Sequence, residues 1–466
     1  MSRAAVQWAA VLALGAAGCV TRPATVDPGA TSDPAAPTPL EALEARAHAS
    51  VEAPDARVGG PFTLEGGTVL TATGERYAPG YVVVEGGRIE ALGAGKAPAP
   101  KGTVLDVAGR FVTPGLIDVH SHLGVMASPH LRGSDDVNEA TAPNTAQVWA
   151  EHGFWPQDPG LERAARGGVT TLQALPGSAN LIGGRGVTVH LRPARGARAM
   201  RFPGAPDGVK MACGENPKRV YGGKGGPSTR MGNIAGHRAA FADAQKWLRD
   251  NKGKAAAEVA RDLKMETLAA ALEGRALVHV HCYRADDMLA FLAAADEFGV
   301  AVKAFHHALE AYKIRDILAA RHIAVATWAD WWGFKLEAYD GIPETLAFVA
   351  EAGGDAIVHS DSGEGIQRLN QEAAKALASG RAAGVKLTDD DALRWVTLNP
   401  ARALGIDGEV GSLEVGKRAD LVVWDRDPFS VYARARWVYV DGLRVIDVDA
   451  SSAPWSDLEL GQEVGE

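Results

Sequence analysis

Between residues 116 and 361, eight short apolar runs (116–122, 168–175, 187–192, 208–213, 277–282, 300–307, 323–328 and 356–361) alternate with amphipathic stretches such as 285–298, 311–320 and 364–378. The apolar runs have strand length and read as strands covered on both faces. Strands joined through helices lie parallel. Eight such units predict an α/β chain whose centre, 113–404, is a (β/α)8 TIM barrel. Shorter β-rich runs punctuated by Gly and Pro precede it (67–73, 81–85, 88–91, 103–106) and return after it (419–424, 437–440, 444–447). These are expected to be the halves, 61–112 and 405–450, of one small β-sandwich domain, followed by a tail at 451–466.

The N-terminus predicts export. Arg3 precedes a short apolar run, 6–17, too short to span a bilayer as an ordinary helix. The run ends in Ala16-Ala17-Gly18-Cys19, which resembles a bacterial lipobox. Residues 1–19 are therefore read as a lipoprotein signal peptide with Cys19 as the lipidation site, and the Pro/Ala-rich stretch 20–60 as a disordered tether. Val20 stands where an aspartate commonly retains lipoproteins at the inner membrane, so the expected address is the outer membrane, facing the periplasm. The lipid anchor is the only membrane contact expected. Lys+Arg number 48 against Asp+Glu 57, with no basic stripe, so no nucleic-acid partner is expected. Three cysteines are too few for a disulfide framework. Strand alternation turns Cys213 and Cys282 outward, where they read as buried structural thiols.

The chemistry gathers at strand ends. In Asp118-Val119-His120-Ser121-His122, alternation puts both imidazoles on one face. In a barrel, that face at the C-terminal end of the first strand is the active-site mouth, and imidazole is a common metal ligand. His279 and His281 end the fifth candidate strand, His306 and His307 the sixth, and His359-Ser360-Asp361 the eighth. Their spacing matches about 30 residues per βα unit. The exception is the step from Lys210 to His281, which calls for an insertion, and 215–236, read as a Gly-rich loop, suits one.

With these motifs the chain resembles the amidohydrolase superfamily, in the branch similar to imidazolonepropionase and metal-dependent dipeptidases. Gly411-Ser412-Leu413-Glu414-Val415-Gly416-Lys417-Arg418-Ala419-Asp420-Leu421-Val422 and Asn399-Pro400-Ala401-Arg402 carry the rest of the likeness. The resemblance implies a divalent metal, zinc above all, as one or two ions. It implies His120, His122, His281, His307 and Asp361 as ligands, with Asp361 also the catalytic proton shuttle. The fourth-strand ligand stays open between Lys210, as a carboxylated bridge, and Glu215.

Arg219, Tyr221, Arg284 and Trp332 are the candidate substrate-binding residues, and Trp331 is an alternative pocket wall. His279 reads as a support beneath the site. Gly183-Gly184-Arg185-Gly186 reads as a tight turn. The activity expected is hydrolysis of a C–N bond in a small-molecule amide, dipeptide or cyclic amide. Imidazolonepropionase itself fits less well, because histidine degradation is cytoplasmic. The competing class is a non-catalytic envelope lipoprotein that binds metal or ligand. A homo-oligomer is compatible with the sequence.

Overall fold

The computed structural model describes residues 37–49, 55–450 and 455. The signal peptide with Cys19, residues 20–36 and 50–54 of the tether, and all of the tail but Trp455 lie outside them.

The flanking segments supply β1 (Phe62–Leu70), β2 (Arg76–Glu85), β3 (Arg88–Ala94), β4 (Thr103–Asp106) and β5 (Phe111–Pro114) from the N-terminal side. The barrel strands are β6 (Leu116–Ser121), β7 (Val169–Ala174), β8 (Ile182–His190), β9 (Gly208–Ala212), β10 (Leu277–Cys282), β11 (Val302–His307), β12 (Ala324–Thr327) and β13 (Ala356–Val358). Then come β14 (Leu421–Trp424), β15 (Ala435–Val440) and β16 (Leu443–Asp447).

Strands β6 to β13 form one nearly closed sheet in chain order, an α/β barrel with helices outside. Val278, Val280 and Cys282 of β10 pack into the outer core with Phe291 and Phe305, while His279 and His281 alternate with them on the other face. Between β6 and β13 the seam is bridged by the backbone of the 395–396 turn: Ile117 N–H donates to Val396 O and Val358 N–H to Trp395 O.

The third strand departs from the expected pattern. It starts at Ile182, runs antiparallel to both β7 and β9, and has no crossover helix before it. The glycine run expected as a tight turn lies inside it. Gly184 has φ +115°, and a Cβ there would sit 2.1 Å from Val148 O. Only glycine lets residues 145–149 approach so closely, with Arg185 N–H bonded to the same Val148 carbonyl.

The flanking halves join in a single eight-stranded sheet, ordered β16-β15-β14-β5-β1-β2-β3 with β4 also on β1. Its own core includes Phe62, Leu64, Val84, Val112, Leu421 and Tyr439. This domain is pinned to the barrel where Gly115 N–H donates to Asp420 O, and where buried His190 lies 3.3 Å from Asp420 and 3.6 Å from Asp441.

Three further expectations need correction. The stretch 20–60 is not wholly a tether, because Pro39–Ala47 is a helix docked on the barrel. Its N-cap Thr38 and Glu41 form a capping box, Pro39 fits the first turn, and Leu43 is buried. Glu44 bridges Arg185 and Arg275, and His48 lies 3.3 Å from Asp207. The insertion after β9 is largely helical, Glu215–Tyr221 and Arg230–Asn251, rather than a loop. Cys213 and Cys282 are not free thiols. They form a disulfide between adjacent strand ends, Cα atoms 5.3 Å apart. Among the described residues no helix is long and apolar enough to cross a membrane.

Candidate functional site

At the mouth of the barrel, Asp361 is the point of convergence. Its Oδ1 lies 3.1 Å from His122 Nε2 and 3.5 Å from His120 Nε2, and its Oδ2 lies 3.7 Å from His307 Nδ1. Donor atoms of His120, His122 and Asp361 fall within 4.8 Å of one another, as do those of His120, His307 and His359. His307 (φ +68°) and Asp361 (φ +49°) both hold left-handed backbone. Such conformations in non-glycine residues are strained and gather at functional sites. At His307 the strain has a visible result. Ala304 and His306 face opposite to Phe305, and the left-handed turn then brings a second consecutive histidine into the cluster.

The strand ends are clamped to one another. Asp118 accepts from the N–H groups of His120 (3.0 Å) and Ser360 (3.2 Å) and from Ser360 Oγ, tying the first strand to the last. Burial pushes its carboxyl up to about 7, against those donors. His122 Nδ1–H donates to Leu175 O at 2.8 Å, which turns Nε2 toward Asp361.

The electrostatics suit a cation. Burial drives the imidazoles of His120, His281 and His307 well below their usual value, and that of His359 to about 3, so the rings are neutral. Burial raises Asp361, but the hydrogen bond from His122 and the neighbouring positive groups outweigh it and hold the carboxyl low. The Nδ1 atoms of His281, His307 and His359 are buried without a partner. Orphaned buried nitrogens cost about 1–3 kcal/mol each, and the converging donors of His120, His122 and Asp361 fit a bound divalent ion.

Of the two candidates for the fourth-strand position, Lys210 faces the cluster. Its Nζ lies 3.4 Å from His120 Nε2 and donates to Pro176 O at 3.1 Å, and burial lowers it to about 8. The Glu215 carboxylate instead lies 3.4 Å from Lys335. His281 sits at the edge of the group, its ring 4.5 Å from that of His307 and its Nε2 3.4 Å from Asn216 Nδ2.

The substrate-binding candidates are not gathered there. Arg284 is held by Asp286 in two contacts of 2.8 Å, Arg219 is exposed, and Tyr221 is buried under Gly226. Trp332 is 48% exposed on the rim, while Trp331 stacks on Trp328 and lines a cavity of about 290 Å³ beside His359 and Ser360. Other residues take the nearer places, Tyr283 and Lys335 passed over in the sequence and Trp328 read there as packing. Tyr283 stacks on His307 at 5.2 Å, and Trp328 at 4.8 Å with its Nε1–H on Ser360 O. Lys335 Nζ lies 3.8 Å over the Tyr283 ring. Tyr283 could have been found from its place two residues beyond His281, whereas nothing in the run 331–339 singles out Lys335.

Comparison with known proteins agrees with this geometry. Residues 111–448 match the family described as the amidohydrolase family. The amidohydrolase tasK of Hapsidospora irregularis is 37% identical over 400 residues, 79% of this chain, but the match spans only 40% of that protein's length. An imidazolonepropionase of Sphingopyxis alaskensis is 28% identical, over 74% of this chain and 86% of its own. The crystal structure of an amidohydrolase from Thermotoga maritima superposes with a TM-score of 0.76 at 36% identity, over 83% of this chain and 99% of that one.

Proposed function

The chain belongs to the amidohydrolase family, and from that premise we propose that it hydrolyses a C–N bond in a small amide: a dipeptide, an N-acyl amino acid or a cyclic amide. The observation that carries this reading is Asp361, within reach of three imidazoles and still 24% exposed at the mouth. His120, His122, His281, His307 and Asp361 would hold the divalent ion, zinc in our reading, and a carboxylated Lys210 would bridge two. When bound, the ion supplies Lewis acidity, polarising the scissile carbonyl and bringing water within reach of ionisation near neutral pH. Asp361 takes the proton from the attacking water on a carboxylate oxygen and returns it to the leaving nitrogen. Trp328 and Tyr283 shield one flank from bulk water.

The Cys213–Cys282 pair supports an oxidising compartment, in keeping with export on a lipid anchor at Cys19. Metal analysis of purified protein, with hydrolysis of a panel of dipeptides, N-acyl amino acids and cyclic amides, tests the assignment. Turnover that is lost with chelator and restored by zinc supports it. A metal-replete protein inert on the whole panel would favour the non-catalytic lipoprotein instead.

A further inference from the structure

Beneath the cluster the polar contacts continue down the barrel. His120 Nδ1 lies 2.9 Å from His306 Nδ1, and His306 Nε2 lies 2.8 Å from His279 Nδ1, all three rings buried. We infer that His306 and His279 are positioning residues that, ending on Gln173, fix His120 in the tautomer able to bind a metal through Nε2.

Given the metal centre proposed above, proton counting limits the tautomers these rings can adopt. A neutral imidazole carries one proton, and each contact joins two ring nitrogens, so only one nitrogen of each pair can carry it. Two arrangements satisfy both contacts. In one, His120 Nδ1–H donates to His306, His306 Nε2–H donates to His279, and His279 keeps its proton on Nε2. His120 Nε2 is then a bare lone pair facing Asp361 and Lys210. In the other, every donor is reversed, and the proton on His120 Nε2 blocks ligation.

The near end favours the first, because the Lys210 ammonium, a donor only, lies 3.4 Å from His120 Nε2 and calls for a lone pair there, and the far end can complete it. His279 Nε2 is buried without a partner, as are both amide atoms of Gln173. Gly208 leaves room for the two to meet: a Cβ there would lie 2.5 Å from Gln173 Nε2 and 3.3 Å from His279 Cδ2. With its carbonyl oxygen turned inward, the Gln173 amide can accept from His279 Nε2–H, which completes the first arrangement. Four strands, β6, β7, β10 and β11, thus contribute one residue each to a chain that ends at the metal position.

The experiment is zinc titration of the full chain and its variants, with circular dichroism to confirm folding. Loss of such supports typically lowers metal affinity 10–100-fold. His306→Phe should fall in that range, His306→Gln, which keeps an acceptor, should recover part of it, and Gln173→Leu should weaken zinc several-fold although it lies two rings away from His120. Nitrogen-15 spectra of the zinc-loaded protein should show His306 Nδ1 unprotonated and Nε2 protonated. Unchanged zinc affinity in folded His306→Phe, or the opposite nitrogen assignment, overturns the inference. Should His306→Phe not fold, Gln173→Leu and the nitrogen assignment decide it. Wild-type protein that binds no zinc would sink the metal reading and this inference together, whereas a failure of the inference alone appears only in the variants and the spectra.

Discussion

Lys210→Met separates what the fold prefers from what the site requires. The lysine is fully buried, and its fall from the usual 10.5 to about 8 corresponds to about 3 kcal/mol at roughly 1.4 kcal/mol per tenfold. The direction follows from linkage. With the folded value depressed, the charged form burdens the folded state fully below pH 8, and the burden lifts as pH rises from 8 towards 10.5. Methionine keeps an unbranched stem of similar volume without the charge, but loses the hydrogen bond to Pro176 O, worth about 1 kcal/mol. The metal-free variant should therefore be about 1–3 kcal/mol more stable than wild type at pH 7, and the gain should vanish near pH 10. Urea unfolding of chelator-treated protein in CO2-depleted buffer at the two pH values measures it. A variant less stable at pH 7, or a gain unchanged at pH 10, would refute the reasoning. The same substitution should abolish the bridged metal pair, so stability and function move in opposite directions.

Asp361→Asn should keep most of its metal while kcat falls roughly 10²–10⁴-fold, read on whichever panel substrate is turned over; near wild-type turnover would place the proton transfer elsewhere. Asp207 is buried, but hydrogen bonding to His48 and the charges of Arg201 and Arg185 hold its carboxyl below the ordinary range. Its contribution is thus present above about pH 4 and drains away as pH falls towards the depressed value. Thermal midpoints of Asp207→Asn should accordingly trail wild type at neutral pH and converge with it in acid, and a pH-independent gap would argue against that role. The Cys213–Cys282 bridge spans a sequence separation of 69, for which chain-entropy reasoning gives about 4 kcal/mol. Reductant should lower wild-type stability and leave a Cys213→Ala/Cys282→Ala variant unmoved.

What could be read from the chain before its structure follows physical lines. His120 and His122 were legible because alternation along a strand needs no tertiary knowledge, and Asp361 because it terminates an apolar run. The direction of β8 was not, since an apolar run reads alike in both senses and only the helix-free connection from β7 reverses it. His306 escaped because its role depends on His307 being left-handed, a backbone choice no residue preference announces. The disulfide was within reach: Cys213 follows Lys210 by three residues and Cys282 follows His281 by one, at the ends of neighbouring strands. The docked helix was signalled by Thr38-Pro39-Leu40-Glu41, a capping pattern lost in a Pro/Ala-rich stretch.

The pairing of β5 with β14 constrains the order in which the molecule can be made. Val112 and Thr113 take their partners from Val423 and Val422, which leave the ribosome some three hundred residues later. Until then the growing chain carries β5 with one side open, an edge able to recruit a strand from another molecule, while the barrel between them can already close on local contacts. A nascent chain halted before residue 421 would hold a formed barrel and an unfinished seam, and quality-control proteases would meet it at β5.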